Sequence, residues 1–216
     1  MADVKFCGLT RAEDARVAAS LGAAYVGVVF AGGPRRLDAA TARTVLDGAA
    51  GRGTARRVGV FGTQSEDEIV QLAQAVRLDV MQLHDDASAA LVSALRTRFA
   101  GQIWRVVRVR DDAMDDALRV AADGVDAVLV ETMVPGALGG TGATVDWETL
   151  ASALERVGRP RRLILAGGLR AENVERAVGL VAPDVVDVSS GVESATGIKD
   201  HAMMRAFAEA AARGGR

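Results

Sequence analysis

Short apolar runs alternate with longer amphipathic segments along the whole chain, and this alternation predicts a repeated strand–helix unit. The runs are rich in Val, Ile and Leu, as in strands that are covered on both faces. The eight predicted strands are Val4–Cys7, Tyr25–Phe30, Arg57–Phe61, Val80–Leu83, Ile103–Val107, Ala127–Val130, Leu163–Leu165 and Val185–Val188. The predicted helices that follow them are Arg11–Leu21, Ala39–Ala49, Ser65–Val76, Ser88–Arg98, Asp111–Ala121, Trp147–Val157, Ala171–Gly179 and Asp200–Ala212.

Three of the predicted helices carry start signals in the sequence. Asp38 directly precedes the second helix and is a predicted N-cap. Capping boxes, in which a hydroxyl and a carboxylate satisfy each other's backbone N–H groups, are predicted from the pairs Thr10 with Glu13 and Ser65 with Glu68.

Eight strand–helix units in a chain of 216 residues leave no room for a second domain. Strand–helix alternation favours parallel pairing with right-handed crossovers. The count of eight fits a closed barrel better than an open sheet, and the length is near the lower limit of this fold. We therefore predict a single-domain α/β protein, a parallel eight-stranded (β/α)8 TIM barrel that spans residues 1–216.

Charge and composition narrow the classes of partner. The formal net charge of −2 gives no electrostatic reason to expect nucleic acid or a membrane surface. No apolar run approaches the ~20 residues of a membrane span, and the first residues lack the apolar segment of a signal peptide. A single cysteine cannot form an internal disulfide, so we expect a cytoplasmic protein. Monomer and homodimer both remain open.

The first predicted strand carries a candidate catalytic thiol. In a parallel barrel, the loops that follow the strands share the end where chemistry is carried out. Lys5 and Cys7 lie two residues apart, so their side chains point to the same side. An ammonium near the thiol favours the thiolate and lowers the thiol pKa, which makes Cys7 a candidate base or nucleophile. A small buried hydrophobe is the equally open alternative.

The sixth predicted strand carries one carboxylate at each end. Asp126 begins the strand and Glu131 ends it, five residues later. At ~3.3 Å per residue the two lie ~16 Å apart. Only Glu131 is therefore expected at the catalytic end, whereas Asp126 is expected to cap or pair at the opposite, stabilising end.

Four further polar residues lie near or after the ends of predicted strands. A loop arginine is usually a solvated charge, but one at the catalytic end can grip a carboxylate bidentately, and we favour this role for Arg35 over Arg36. Asp187 comes to lie beside the first strand when the barrel closes, where it either pairs with Lys5 or contacts substrate hydroxyls. For His84, which ends the fourth strand, a hydrogen-bonded structural role is favoured over a catalytic one.

Glycine-rich segments follow the last three strands and predict a phosphate site. Glycine lets backbone N–H groups approach a phosphate closely, and a phosphate site built from the last loops recurs in this barrel. The predicted phosphate-binding residues are Gly140, Thr141, Gly142, Gly167, Gly168, Ser189, Ser190 and Gly191. No cluster has the spacing of metal ligands, and neither a metal nor another cofactor is predicted.

Taken together, these motifs resemble the phosphoribosylanthranilate isomerase family, and the resemblance covers almost the whole chain. The first matching segment carries the family's catalytic cysteine, and the second carries its carboxylate-binding arginine. The matching segments are Lys5–Arg11, Pro34–Arg35, Met81–His84, Gly139–Gly142 with Asp146–Trp147, Leu165–Leu169 with Asn173–Val174, and Asp187–Glu193 with Gly197–Asp200.

The resemblance implies an isomerase of tryptophan biosynthesis that rearranges an aminoaldose to an aminoketose, the Amadori rearrangement. It implies Cys7 as the general base and Glu131 as the general acid. Together with the positions discussed above, it implies that the substrate is bound by Lys5, Arg35 and Asp187. No redox or metal cofactor is implied.

Two positions depart from the family pattern. The family's acid is an aspartate where this chain has Glu131, and the family usually has glycine where this chain has Asp85. The first change concerns the chemistry and the second a loop. One alternative is a related or dual-specificity phosphosugar isomerase, which is expected to use aspartate where Cys7 stands. The other is a phosphate-ligand binding barrel without catalysis, which only the Glu131 change favours.

Overall fold

Eight parallel strands close into a barrel in the computed structural model of this chain, which describes residues 1–84, 87–109, 114–132 and 146–215. Each strand pairs with its neighbours in the sequence, and the first strand pairs with the eighth to close the ring. The predicted eight-stranded (β/α)8 barrel is therefore confirmed. The strands are β1 (Asp3–Phe6), β2 (Tyr25–Val29), β3 (Arg56–Phe61), β4 (Val80–Leu83), β5 (Gln102–Val109), β6 (Ala127–Thr132), β7 (Leu163–Ala166) and β8 (Val185–Val188).

A helix follows each strand of the barrel and packs on its outer face. The helices are α1 (Ala12–Ser20), α2 (Ala39–Asp47), α3 (Glu66–Val76), α4 (Ala89–Arg98), α5 (Met114–Ala121), α6 (Trp147–Val157), α7 (Val174–Val181) and α8 (His201–Gly214). Between β8 and α8 lie a 3₁₀ turn, Ser190–Val192, and an antiparallel hairpin of β9 (Glu193–Ala195) and β10 (Ile198–Lys199). The sequence analysis does not predict this hairpin. Within the described ranges, no helix is long and apolar enough to cross a membrane.

Two of the three predicted helix starts are confirmed. The carboxylate of Asp38 accepts the backbone N–H of Thr41 at 2.8 Å, at the start of α2. Ser65 and Glu68 form the predicted capping box at the start of α3. Local sequence therefore sets these two starts, because the capping groups lie within the first turn.

The capping box predicted from Thr10 and Glu13 is wrong. The hydroxyl of Thr10 donates instead to the carbonyl oxygen of Gly197, in the distant β9–β10 hairpin, and α1 begins without a side-chain cap. A long-range contact thus takes the hydroxyl that the local pattern assigns to the helix. The predicted start of the fifth helix at Asp111 lies outside the described residues.

Apolar side chains form two layers, one inside the barrel and one between the strands and the helices. Inside, the rings of Tyr25 and Trp104 meet edge to face with centroids 4.7 Å apart. The remaining buried members of the interior layer are Val58, Val80, Val106, Ala127, Leu129, Ile164, Ala166 and Val185. These side chains fill the barrel interior, so the chemistry is confined to the end where the strands finish.

Aspartates organise the amino-terminal end of the barrel. One aspartate directly precedes each of β4, β6 and β8, and its carboxylate accepts a backbone N–H from the start of the preceding strand. The pairs are Asp79 with Arg57 (2.7 Å), Asp126 with Ile103 (2.8 Å) and Asp184 with Leu163 (2.7 Å). Arg96 also pairs with Asp126 at 2.6 Å, in agreement with the stabilising role predicted for this carboxylate.

Candidate active site

Lys5 and Asp187 form a buried ion pair inside the barrel, beside the only thiol. The two residues are register partners on β1 and β8, and Nζ of Lys5 lies 2.8 Å from Oδ2 of Asp187. Cys7 follows β1 directly. A Cβ atom at Gly27 of β2 would lie 3.3 Å from both Sγ of Cys7 and Cε of Lys5. The absent side chain of Gly27 therefore leaves the space in which the thiol and the lysine side chain meet.

Burial dominates the ionisation of Cys7, which is only 8% exposed. Desolvation raises the pKa of the thiol above its ordinary value of 9.0, because the opposing effect of Lys5 is smaller. The predicted net lowering of the thiol pKa is therefore wrong. The ammonium does favour the thiolate, but Asp187 already balances its charge. Burial also acts to lower the pKa of Lys5, but Asp187 and Cys7 outweigh it, so that this pKa is raised.

Asp187 retains one acceptor for a ligand. Its Oδ2 receives the Lys5 ammonium, whereas its Oδ1 is buried and has no hydrogen-bond partner among the described residues. A buried carboxylate oxygen without a donor is unfavourable, and a ligand hydroxyl would relieve this cost. The predicted pairing of Asp187 with Lys5 is thus present. The other predicted role, contact with substrate hydroxyls, stays a prediction, and Oδ1 is the atom available for it.

The carboxylate of Glu131 lies at one end of a row of three polar side chains that come from three adjacent strands. Its Oε2 lies 3.1 Å from Nε2 of His84, which directly follows β4. Nδ1 of the same ring lies 2.6 Å from Nη2 of Arg108. Arg108 and Glu131 are register partners on β5 and β6. The side chains therefore run in the order Arg108, His84, Glu131.

These contacts favour the carboxylate form of Glu131. Burial acts to raise its pKa, but the hydrogen bond and the electrostatic attraction from His84, followed by the charges of Arg108 and Lys5, outweigh burial. The pKa of Glu131 is consequently lowered from its ordinary value of 4.5. The hydrogen-bonded role favoured for His84 in the sequence is present, but its partner is the candidate catalytic acid.

Arg35 already grips a carboxylate, that of Glu193 in β9. Nε of Arg35 donates to Oε1 at 2.8 Å and Nη2 donates to Oε2 at 2.6 Å. This side-on, bidentate pair leaves Nη1 outside the contact with Glu193. Arg36 is exposed. Arg35 therefore holds a carboxylate of the protein itself, and its preference over Arg36 for a substrate carboxylate stays a prediction.

Lys199 of β10 adds a second cation to this cluster. Its Nζ lies 2.8 Å from Oε1 of Glu193 and donates to the carbonyl oxygen of Ser189 at 3.0 Å. Burial lowers the pKa of Lys199 more than Glu193 raises it. Burial also acts to raise the pKa of Glu193, but hydrogen bonds from Arg35 and Lys199 lower it overall. Two cations thus share one carboxylate near Cys7, which leaves net positive charge for an anionic ligand.

Gly8 allows the arginine to reach this position. Its φ of +66° is in the left-handed region, which glycine adopts without strain. A Cβ atom here would lie 2.7 Å from Cδ of Arg35 and 2.8 Å from Oγ of Ser189. A side chain at residue 8 would therefore displace both the Arg35 stem and the loop after β8.

The loops after β7 and β8 contain the described part of the predicted phosphate site. Gly167 and Gly168 both have positive φ, +93° and +62°. Asn173 holds this turn, since its side chain donates to the carbonyl oxygen of Gly168 at 3.0 Å. A Cβ at Gly191 would lie 1.9 Å from the carbonyl oxygen of Leu169, so the two loops are in close backbone contact.

Ser189, Ser190 and Gly191 form the loop and 3₁₀ turn after β8. They therefore lie next to the β7 loop, as predicted. The other three predicted phosphate-binding residues, Gly140, Thr141 and Gly142, lie outside the described residues. Among the residues that the structure describes, no group of three or more His, Cys, Asp or Glu side chains is placed to hold a metal ion.

Three charged residues of the candidate active site are absent from the site that the sequence analysis predicts: Arg108, Glu193 and Lys199. Glu193 and Lys199 lie within segments that carry the family resemblance, so the motif was a usable signal for both. Arg108 gives no such signal, because its partner His84 is 24 residues away and on another strand.

The fold and the ionisable side chains at the ends of β1, β6 and β8 define a (β/α)8-barrel enzyme. Residues 4–210 match the family model described as N-(5'phosphoribosyl)anthranilate (PRA) isomerase, and the chain belongs to this family. The predicted family is therefore confirmed.

Relatives and solved structures agree with this family over nearly the full chain. An N-(5'-phosphoribosyl)anthranilate isomerase from Pseudomonas aeruginosa (strain LESB58) is 41% identical over 210 residues, which are 96% of this chain and 93% of the relative. One from Acidithiobacillus ferrooxidans is 40% identical and covers 96% of both chains. The crystal structure of phosphoribosyl anthranilate isomerase from Thermotoga maritima has a TM-score of 0.86 and 33% identity, over 98% of this chain and 99% of that one.

A further phosphoribosyl anthranilate isomerase structure was solved in complex with reduced 1-(o-carboxyphenylamino)-1-deoxyribulose 5-phosphate. It has a TM-score of 0.83 and 32% identity, and the match covers 98% of this chain and 99% of that one.

Proposed function

We propose that this chain rearranges N-(5-phosphoribosyl)anthranilate to 1-(2-carboxyphenylamino)-1-deoxyribulose 5-phosphate, the isomerase step of its family in tryptophan biosynthesis. One observation carries the assignment beyond family membership. A thiol and a carboxyl group end β1 and β6, and the buried Lys5–Asp187 pair lies close enough to act electrostatically on both. An aminoaldose-to-ketose conversion needs one acid and one base on a small sugar, which this arrangement supplies.

Glu131 is the proposed general acid. It protonates the furanose ring oxygen, the bond from that oxygen to C1 breaks, and the substrate nitrogen's lone pair forms the Schiff base. This step leaves Glu131 as a carboxylate, which the hydrogen bond from His84 stabilises. The assignment keeps the acid on the strand that carries the family's aspartate, with one additional methylene group.

Cys7 is the proposed general base. Its thiolate removes the proton from C2, the electrons of that C–H bond form the C1–C2 double bond, and the π electrons of the C1=N bond return to nitrogen. The resulting enolamine then tautomerises to the ketone. Lys5 supports this role because its charge favours the thiolate over the thiol. Lys5 thus stabilises the thiolate before the proton transfer, and Cys7 accepts the proton.

The protonation states of the free protein are the reverse of those that the reaction uses. Burial favours the neutral thiol of Cys7, and His84 favours the carboxylate of Glu131. Moving one proton from Cys7 to Glu131 gives the active form without changing the total number of protons. The active fraction is therefore constant at any pH between the two pKa values, and activity falls below the pKa of Glu131 and above that of Cys7.

The proposed substrate-binding residues are Lys5, Arg35 and Asp187. The net positive cluster of Arg35, Lys199 and Glu193 supports binding of the anthranilate carboxylate through Arg35. The unpartnered Oδ1 of Asp187 supports a contact with a sugar hydroxyl, and Lys5 holds this side chain in place.

The phosphate is proposed to lie on the glycine-rich loops. Positive φ at Gly167 and Gly168 and the 3₁₀ turn after Ser189 support this, because both expose backbone N–H groups. Gly140, Thr141 and Gly142 remain predicted members of the site on sequence grounds alone.

Assembly and location remain predictions. A solved relative is described as monomers generated from the dimeric enzyme of Thermotoga maritima. For the present chain we propose a monomer or a homodimer. The net charge of −2 supports a small-molecule substrate rather than nucleic acid, and the single cysteine supports the expected cytoplasmic location.

A turnover assay with phosphoribosylanthranilate generated in situ tests the proposal, with the histidine-pathway aminoaldose in a parallel reaction. We expect turnover of the first substrate only. Turnover of both would establish the dual-specificity alternative. Binding of a phosphorylated product analogue without turnover of either substrate would establish the non-catalytic barrel.

A further inference from the structure

We propose that Arg108 and His84 are positioning residues for Glu131: the arginine selects one tautomer of the imidazole, and the imidazole then selects which carboxyl oxygen of Glu131 carries the acidic proton. The catalytic consequence rests on the proposed function, whereas the tautomer itself does not. The two parts are therefore tested separately below.

The first step is the contact between Arg108 and His84. A guanidinium has only N–H donors and no acceptor, so the nitrogen that it faces must accept. Nη2 of Arg108 lies 2.6 Å from Nδ1 of His84, well within hydrogen-bond distance. A proton on Nδ1 would point directly at the guanidinium. Nδ1 must therefore be unprotonated while this contact is present.

The second step is the tautomer that follows. With Nδ1 acting as an acceptor, the imidazole carries its only N–H on Nε2. That nitrogen lies 3.1 Å from Oε2 of Glu131, so it donates to the carboxylate. The backbone N–H of His84 is fixed as well, by the carbonyl oxygen of Phe61 at 2.8 Å. Ring orientation and tautomer are thus both determined.

The third step concerns Glu131 itself. An oxygen that accepts a hydrogen bond is a poor place for a proton, so Oε2 stays unprotonated and the acidic proton is carried by Oε1. A glutamate has one more rotatable bond than an aspartate, and this hydrogen bond restricts that freedom. His84 thereby directs the proton of the longer side chain, which matters because a misplacement of ~1 Å can cost ~100-fold in rate.

Charged groups approach Glu131 from both sides of the barrel. His84 and Arg108 come from the neighbouring β4 and β5, whereas Lys5 and Asp187 act from β1 and β8. Lys5 and Asp187 oppose each other, since one favours and the other disfavours a second negative charge. The hydrogen bond from His84 is the largest of the effects that favour the carboxylate.

Two substitutions of His84 separate the hydrogen bond to Glu131 from the hydrogen bond with Arg108. A glutamine amide nitrogen reaches about as far as Nε2 and can donate to Glu131, whereas an asparagine reaches only as far as Nδ1. We expect His84→Asn to lower kcat by about 10-fold or more with little change in KM, because the acid loses its orientation. His84→Gln should retain most of the wild-type kcat.

The pH profile provides a readout that a purely structural role would not move. Removing a donor from a carboxylate raises the carboxyl pKa, so the acidic limb of kcat/KM should shift to higher pH in His84→Asn. In His84→Gln the limb should stay near its wild-type position. Equal losses of kcat in both variants, with unshifted limbs, would overturn the positioning role.

The tautomer is measured without any turnover, by the ¹⁵N chemical shifts of the imidazole nitrogens in the wild-type protein. The chain has only two histidines, so His201→Asn assigns the spectrum. We expect a protonated Nε2 and an unprotonated Nδ1 for His84, and a loss of this preference in Arg108→Met. A proton on Nδ1 of His84 in the wild-type protein would refute the proposal. Failure of the isomerase assay with the expected spectrum would instead refute the proposed function.

Discussion

The two ends of the barrel use acidic side chains in opposite ways. At the amino-terminal end, Asp79, Asp126 and Asp184 each accept a backbone N–H from a neighbouring strand. At the carboxyl-terminal end, Asp187 has a buried oxygen without a described partner, and Glu131 is held by a side chain that follows another strand. The first set stabilises the fold with hydrogen bonds between adjacent strands. The second keeps bonding capacity for a ligand, at a cost in stability.

One carboxylate of each kind lies at an end of strand β6, which makes this strand the best place to separate stability from catalysis. Asp126 precedes the strand and Glu131 lies near its end, on the same rigid element. A substitution at one end changes the environment of the other very little, since residues this far apart usually act independently. The predictions below use this separation, from the largest expected effect to the smallest.

At the carboxyl-terminal end, loss of the proposed general base, Cys7, should have the largest effect on catalysis. Cys7→Ser keeps nearly the size of the side chain but replaces the thiol with a hydroxyl, which is far less acidic. We expect kcat to fall by about 100-fold or more, the usual scale for losing a general base, with an unchanged melting temperature. Steady-state kinetics and thermal unfolding measure both. Turnover near that of the wild type would show that the base lies elsewhere.

Matched amide substitutions at the two ends of β6 should separate the two roles. Glu131→Gln cannot donate the proton, so it should lose about 100-fold or more in kcat and keep its stability. Asp126→Asn loses its charge toward Arg96 and should lower the free energy of unfolding by about 1 kcal/mol with unchanged kcat. Glu131→Asp should retain substantial activity. If Glu131→Gln turns over normally, Asp187 becomes the next candidate for the acid.

The phosphate loops should respond to negative charge added at the proposed phosphate position and not to the same charge added at an exposed position nearby. Ser190→Glu should abolish binding of the reduced product analogue, because a carboxylate would occupy the proposed phosphate position. Ser194→Glu introduces the same charge at an exposed residue of β9 and should leave binding unchanged. Calorimetry compares the two. A phosphate bound only in the amino-terminal cavity that Met1, Arg162 and Gly215 help to line would contradict this prediction.

Substitution of Arg35, the proposed ligand of the substrate carboxylate, should affect binding more than chemistry. Arg35→Met removes the bidentate donor and should raise KM by roughly 10-fold or more with a smaller change in kcat, since this interaction is made equally in the ground and transition states. The neighbouring exposed Arg36 provides the control, and Arg36→Met should leave KM unchanged. A rise in KM confined to Arg36→Met would move the role to that residue.

The amino-terminal end offers a prediction in the stabilising direction. Ala24 precedes β2 and donates its N–H to the carbonyl oxygen of Val4 at 3.0 Å, as Asp79 does to Arg57 at 2.9 Å. Ala24→Asp would place a carboxylate beside the N–H of Val4 and complete the series at every second strand. We expect about 1 kcal/mol of added stability in chemical denaturation and an unchanged kcat. A loss of stability would show that the pattern does not extend to β2.

The barrel itself could be predicted from the sequence because its strands are covered on both faces. Val80–Leu83 and Val185–Val188 are apolar runs with sharp limits, and the observed strands have the same bounds. Ser65 and Glu68 act within one turn of helix, so their pairing is encoded locally. The β9–β10 hairpin has no comparable signal, because its strands contain only three and two residues.

The site was predictable where a residue acts from its own strand and less so where it acts through a distant partner. Cys7 directly follows β1, Glu131 lies near the end of β6, and Arg35 lies in the loop after β2, so all three are at the carboxyl-terminal end of the barrel. The raised pKa of Cys7 depends on burial and on a charge already neutralised by Asp187, neither of which the spacing of Lys5 and Cys7 reveals. The contact of Arg108 with His84 exists only once β4 and β5 are paired.

The burial of Cys7 has a consequence for the chemical durability of the protein. Oxidation and alkylation of a cysteine proceed through the thiolate and require access to it. The side chain of Cys7 is 8% exposed and its pKa is raised above 9.0. Little of it is therefore present as the reactive thiolate at neutral pH. The same desolvation that keeps the base protonated in the resting protein therefore shields its only cysteine from peroxide and electrophiles.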